Sequence, residues 1–210
     1  AEIITRAGFC LDEILDDSNF ILKERDLPDL CADRLDYCLR AIPHMHHHGK
    51  LLDCDEVALS RAIVATPDGF VLRDAKSAKM FARAFNQTDE EIYSSYGATF
   101  YEEMLARICR NAIEQGILTC EEFLELNDMQ VIRKMHLAGV DFSPMYDSPE
   151  AWRITKDDED AVILSQKMRR VNPPFIDSDG TVRRLSEIDD DFAKYFSACP
   201  KFAEYKIKKA

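Results

Sequence analysis

Apolar side chains recur every three or four positions along most of this chain, and that spacing predicts helices. In residues 29–42, Cys31, Leu35, Cys38, Leu39 and Ile42 form one apolar stripe of an α-helix, which Pro43 is expected to end. Leu11, Ile14 and Leu15 mark a shorter amphipathic turn after Gly8. Asp53 followed by Glu56 has the spacing of a capping box and predicts a helix through Val57, Ile63 and Val64. Thr66-Pro67-Asp68-Gly69 is a turn by composition, because Pro fixes φ and Gly allows positive φ. Asp74 then caps a helix whose Ala78, Phe81, Ala82 and Phe85 share a face. The longest helical stretch runs from about 89 to 115, with Gly116 as its stop. Thr119 with Glu122 forms a second capping box, and Asp128 opens a helix through Val131, Ile132 and Met135. From Gly139 the pattern loosens into a polar connection that includes Asp157-Asp158-Glu159-Asp160. Phe175-Ile176-Asp177 and Val182-Arg183-Arg184-Leu185 can pair as a small hairpin. A last helix starts near Ser186, with Ile188, Phe192, Tyr195 and Phe196 inward. The expected architecture is an all-α body over residues 1–139 and a mixed appendage over 140–210, with a hairpin and a terminal helix.

Composition narrows the function classes. Of the 210 residues, 46% are hydrophobic and 31% charged, which suits a folded core and excludes a disordered chain. The net charge of −12 repels phosphate backbones and demotes duplex nucleic acid as a partner. The only dense basic run is Lys206-Ile207-Lys208-Lys209. Seven cysteines without any C-x-x-C pair support neither a zinc ribbon nor a disulfide framework. Free cysteines and the lack of a membrane-spanning run point to a cytoplasmic protein without a membrane partner. The sequence begins with Ala1 rather than methionine, which raises the expectation of a processed chain or a piece of a longer one.

Opposite the apolar stripe of the 29–42 helix lie Asp33, Asp36, Tyr37 and Arg40, with Arg34 flanking them. Asp36 and Arg40 stand at i, i+4 in the favourable order, acid first. On composition alone this is the solvated face of an ordinary helix, but an Asp–Arg–Asp–Tyr cluster also suits a metal and phosphate site. His44, His47 and His48 share a helical face that can hold a transition metal, although Pro43 and Gly49 bracket the run and suggest an exposed helix end.

The segment Cys31-Ala32-Asp33-Arg34-Leu35-Asp36-Tyr37-Cys38-Leu39-Arg40 resembles the A-D-R-x-D-Y-x-L-R-D segment of HD-domain metal-dependent phosphohydrolases. The branch it is most similar to includes the deoxynucleoside triphosphate triphosphohydrolases. The resemblance implies a helical bundle of the HD-domain type, represented here by its C-terminal half. It also implies that Asp33 ligates a divalent metal (Mg, Mn, Fe or Ni), with the other ligands a His and a His-Asp dyad. Arg34 and Tyr37 match substrate-side positions near a phosphorylated small molecule, with nucleotides among the candidates. Asp36 and Arg40 then serve as structural support. Several family features are missing: no His-Asp dipeptide occurs, no His precedes Asp33, and the family's Asp after Leu-Arg is Ala41. The chain is therefore expected to be inactive alone and to expose the Asp33/Tyr37/Arg40 face, to solvent, to a missing N-terminal half, or to another copy in a homo-oligomer. The alternative is a non-catalytic helical interaction or regulatory module that retains the scaffold.

Overall fold

The computed structural model describes residues 2–47, 49, 54–156 and 161–209. Asp53, His48 and the acidic run 157–160, all singled out in the sequence, lie outside the described residues. Contacts divide the chain into one unit of Ala1–Tyr93 with Met168–Lys201 and a second of Ser94–Lys167 with Phe202–Ala210, a division that cuts across the 139/140 boundary expected from sequence. Among the described residues the chain is mostly helical, but two small sheets make it less than all-α.

The first unit opens with two short helices, α1 (Glu2–Arg6) and α2 (Leu11–Leu15), which bury no residue. Helix α3 (Ala32–His47) comes next and continues through Pro43 instead of ending there. A proline inside a helix costs on the order of 3 kcal/mol. The turns on either side of it are held by Ile42 and Met45, which are 0% and 2% exposed in the core, so packing outweighs propensity. Helix α4 (Glu56–Ala62) is capped by Asp55, whose side chain accepts from the Val57 and Ala58 N–H groups. It stops before the β-branched pair Ile63-Val64, which the sequence pattern had extended into the helix. That pair begins strand β1 (Ile63–Thr66), which turns at Pro67-Asp68 into antiparallel β2 (Gly69–Leu72). Asp74 caps α5 (Ala75–Thr88), as expected, by accepting from the Ser77 N–H.

Further along the chain, the expected hairpin is present in this unit. Its strands join the β1–β2 pair in a four-stranded sheet through one parallel pairing, Leu72 with Phe175. The core is shared by Leu35, Cys38 and Ile42 from α3, Phe81 and Phe85 from α5, and Phe175 from the hairpin.

The second unit is built on α6 (Tyr96–Glu114), α7 (Cys120–Glu125) and α8 (Asp128–Leu137). The Thr119/Glu122 capping box forms with both reciprocal hydrogen bonds, and Asn127 with Gln130 makes another. Strands β3 (Trp152–Ile154) and β4 (Val162–Lys167) flank the C-terminal strand in an antiparallel sheet. In chain order the remaining elements are β5 (Pro174–Ile176), β6 (Val182–Arg184), α9 (Asp190–Ala198) and that C-terminal strand, β7 (Phe202–Lys209). Among the described residues, no helix is long and apolar enough to cross a membrane.

Candidate functional site

Helix α3 divides cleanly between its two sides. Leu35, Cys38 and Ile42 point into the core, while Asp33, Asp36 and Arg40 are exposed. Asp36 and Arg40 are committed to each other, Oδ2 to Nη2 at 2.5 Å. Asp33, on the same face, has no side-chain hydrogen bond or ion pair among the described residues. Its place in the first turn is favourable for a negative charge, because unpaired N–H groups face it.

Arg34 behaves differently from its exposed neighbours. Its side chain is only 11% exposed. The guanidinium donates to the Asp29 carbonyl at 2.5 Å and the Arg25 carbonyl at 3.0 Å, and lies 3.4 Å from the Glu24 carboxylate. It also lies within electrostatic reach of the Tyr37 hydroxyl. Arg34 thereby ties the loop before α3 to the first turn of the helix.

Tyr37 is half-buried, with its ring centroid 5.9 Å from Phe85 and 5.4 Å from Tyr93, the latter edge-on at 74°. Burial pushes its phenol well above the ordinary tyrosine range, while the nearby Arg34 and Arg169 guanidinium groups pull the other way. Tyr93 completes the face. Its hydroxyl is raised mainly by burial, with Cys38 and Asp33 adding to the shift and Arg40 opposing it, so its phenol stands within electrostatic reach of the Asp33 face. Tyr93 ends a π-helical turn, Asp89–Tyr93, directly after α5. Such a turn carries an extra residue and rotates the chain beyond it. The turn is anchored by Asp89, 2% exposed, whose carboxylate accepts from the Arg169 backbone N–H at 3.1 Å and lies 3.8 Å from the Arg170 guanidinium. Arg170 in turn reaches Glu90 at 2.5 Å and covers the Tyr195 ring at 5.1 Å.

These residues do not by themselves suit a metal ion. Among the described residues no group of three or more His, Cys, Asp or Glu side chains could hold one. Asp33 offers a single carboxylate, and His44 and His47 are exposed at the end of α3.

No family model matches the chain. Among curated proteins it is 27% identical over 135 residues to the metal-dependent phosphohydrolase cns2 of Cordyceps militaris, covering 61% of this chain and 38% of that protein. It is 28% identical over 134 residues to the uncharacterized protein YdhJ of Bacillus subtilis, covering 62% and 39%. The chain thus spans about two fifths of the length of these relatives. A solved phosphohydrolase from Bacteroides thetaiotaomicron superposes on 86% of this chain and 61% of its own, with a TM-score of 0.58 at 14% identity. The chain shares the fold of that protein. A hypothetical protein from Aquifex aeolicus matches 99% of this chain and 64% of its own, with a TM-score of 0.63 at 14% identity. Together these likenesses support the phosphohydrolase superfamily that the Ala32–Arg40 segment resembles.

Within this fold, α3 places four of the five sequence-derived residues, Asp33, Asp36, Tyr37 and Arg40, on or beside one open face. The fifth, Arg34, is buried beside that face, within electrostatic reach of Tyr37. Tyr93 is the residue that sequence reasoning left out. Its spacing fits the apolar stripe of an uninterrupted helix from 89 onward, which places it in the core. The π-turn breaks that register, and Tyr93 is 42% exposed.

Proposed function

We propose that this chain contributes one wall of the active site of a metal-dependent phosphohydrolase acting on a phosphorylated small molecule, with nucleotides the first class to test. The observation that carries the proposal is the contrast on α3: Asp36 is spent on Arg40, whereas Asp33 is exposed and uncommitted beside Tyr37 and Tyr93. In this assignment Asp33 is one ligand of a divalent cation, Mg, Mn, Fe or Ni. The remaining ligands lie in parts of the protein outside this sequence. That division is supported by the cns2 relative, which is named metal-dependent and of which this chain covers 38%. Tyr37 borders the substrate. Arg34 acts through Tyr37, and Asp36 with Arg40 fixes the outer surface of the helix.

The second reading is a non-catalytic helical module that keeps the fold. It is favoured by the lack of any metal-sized ligand cluster among the described residues. One experiment separates the two: metal content and phosphatase activity of the full-length protein with and without Asp33→Ala. The catalytic assignment expects loss of both metal and turnover with the fold intact. Full retention of metal and activity overturns it.

A further inference from the structure

We propose that Arg169, on the segment between β4 and β5, is the guanidinium that holds the phosphoryl group of the substrate at the α3 face. The inference rests on the assignment of that face to a phosphohydrolase site. Resemblance gives the phosphate-side position to Arg34, but the Arg34 donors are turned to the Asp29 and Arg25 carbonyls under a side chain 11% exposed. Arg40 is engaged with Asp36. A phosphoryl group at this face therefore needs another cation.

The end of α5 locates that cation. Asp89 caps α5 with helical backbone, so Phe85 and Asp89 stand at i, i+4 on one side of the helix. The Tyr37 ring packs against Phe85 at 5.9 Å between centroids. Arg169 is held one turn further along, its backbone N–H 3.1 Å and its Nη1 3.4 Å from the Asp89 carboxylate. The Arg169 guanidinium thus comes within electrostatic reach of the Tyr37 hydroxyl. Its side chain is 36% exposed, against 8% for Arg170, so a ligand can reach it.

The charges along the face agree with this placement. Those that act on the Tyr37 hydroxyl are Arg34 and Arg169, both cationic. Asp33 acts instead on the Tyr93 hydroxyl, together with Arg40. The three acids of the π-turn are accounted for. Asp89 is shared between Arg169 and Arg170, and Glu90 is held by Arg170 and the Tyr195 hydroxyl. Glu91 accepts from the Gln87 amide at 2.8 Å and, with Glu90, lines the separate cleft between α5 and α9. The tyrosine pair, 5.4 Å between ring centroids, therefore separates a cationic pole at Tyr37 from a carboxylate pole at Asp33. An anionic phosphoryl group fits the first pole, where a guanidinium can grip it with two parallel hydrogen bonds.

The test titrates the full-length protein with inorganic phosphate by isothermal calorimetry and measures its steady-state hydrolysis of phenyl phosphate. Arg169→Gln should weaken phosphate binding by about tenfold or more and raise KM for phenyl phosphate similarly, with kcat less affected. Metal content should stay at the parent level. Arg169→Lys keeps the charge without the fork and should recover part of the affinity. Both variants are expected to fold, because Asp89 keeps the backbone N–H of residue 169 and the Arg170 guanidinium, and unchanged melting curves verify it. Saturable phosphate binding that Arg169→Gln weakens at an unchanged Tm supports the proposal. No phosphate binding by the parent, or an affinity that Arg169→Gln leaves unchanged, overturns it. Losses in both variants that come with a lowered Tm also overturn it, since they mark a residue that only steadies the turn. Asp33→Ala reads the assignment of the face separately. Metal and turnover that survive it remove the phosphohydrolase reading, whereas the phosphate titration still reports on Arg169.

Discussion

Replacing Arg34 by Met tests whether this residue is a clamp within the chain or a group held ready for substrate. Met keeps much of the aliphatic stem and removes the guanidinium. The two carbonyl contacts, at 2.5 and 3.0 Å, are charge-assisted and sit under a side chain only 11% exposed. Each such bond contributes about 1.5–3 kcal/mol. The Glu24 contact is longer and its carboxylate is half-exposed, so it adds little. Because the carbonyls of Asp29 and Arg25 partly rehydrate in the mutant, the sum falls short of two full bonds, at about 2–4 kcal/mol. For a chain of this size that lowers Tm by roughly 5–12 °C in the transition that melts α3. Far-UV circular dichroism gives the melt, and hydrogen exchange over residues 22–39 shows whether the loop before α3 opens first. Trp152, the only tryptophan, lies in the second unit, so its fluorescence reports that unit as an internal control. Arg34→Lys restores charge but not the fork, and should recover only part of the loss. If Arg34→Met costs less than about 0.5 kcal/mol, the clamp argument is wrong. A substrate-side role then becomes the better account, visible as a raised KM without a change in Tm.

Other perturbations probe the remaining contacts. Asp89→Ala removes the buried acceptor that holds the Arg169 backbone and pairs with Arg170, itself 8% exposed, and should cost about 3–5 kcal/mol by urea denaturation. Asp89→Asn keeps the shape and should cost less, and equal losses would refute the charge argument. Alkaline stability should fall: burial pushes the Cys38 thiol up to about 12 and the Tyr195 hydroxyl up to about 12. Both groups are stabilised in their neutral, folded form, so their contribution is complete below their ordinary values and is lost as pH rises through about 9–12. Denaturation midpoints that rise over that window would contradict the assigned burial. Tyr195→Phe should flatten the slope.

What the sequence reveals is set by how local the cause is. Asp74 and the Thr119/Glu122 box predict helix starts correctly because a cap involves residues two or three apart. The inward face of α3 is legible for the same reason. The three-stranded sheet is not read as such, although residues 202–209 alternate between exposed and more buried positions. Its partners Val162–Lys167 are about 40 residues away, and a lysine-rich tail reads as solvated until that pairing is known. The π-turn is illegible in principle. It depends on Asp89 meeting Arg169 and Glu90 meeting Arg170, each 80 positions later, and without it Tyr93 is one more apolar position on a long helix. The open Asp33 face was legible, but the burial of Arg34 was not, since the carbonyls it caps belong to a loop with no periodic signal.

Asp33 has two physical explanations, and their sizes differ enough to be told apart. As an acid in the first turn of α3 it stabilises the helix dipole, an effect of about 0.3–1 kcal/mol at an exposed position. That is small against the packing of Leu35, Cys38, Ile42 and Met45 beneath it, so Asp33→Ala cannot unfold the helix. A ligand role has no comparable ceiling, because removing a charged donor from a metal site affects occupancy directly. Any loss of metal or turnover in the full-length variant that accompanies a Tm change of only a few degrees must therefore come from the carboxylate's contact with its ligand. The reverse pattern, a small stability loss with metal unchanged, returns Asp33 to the helix dipole alone.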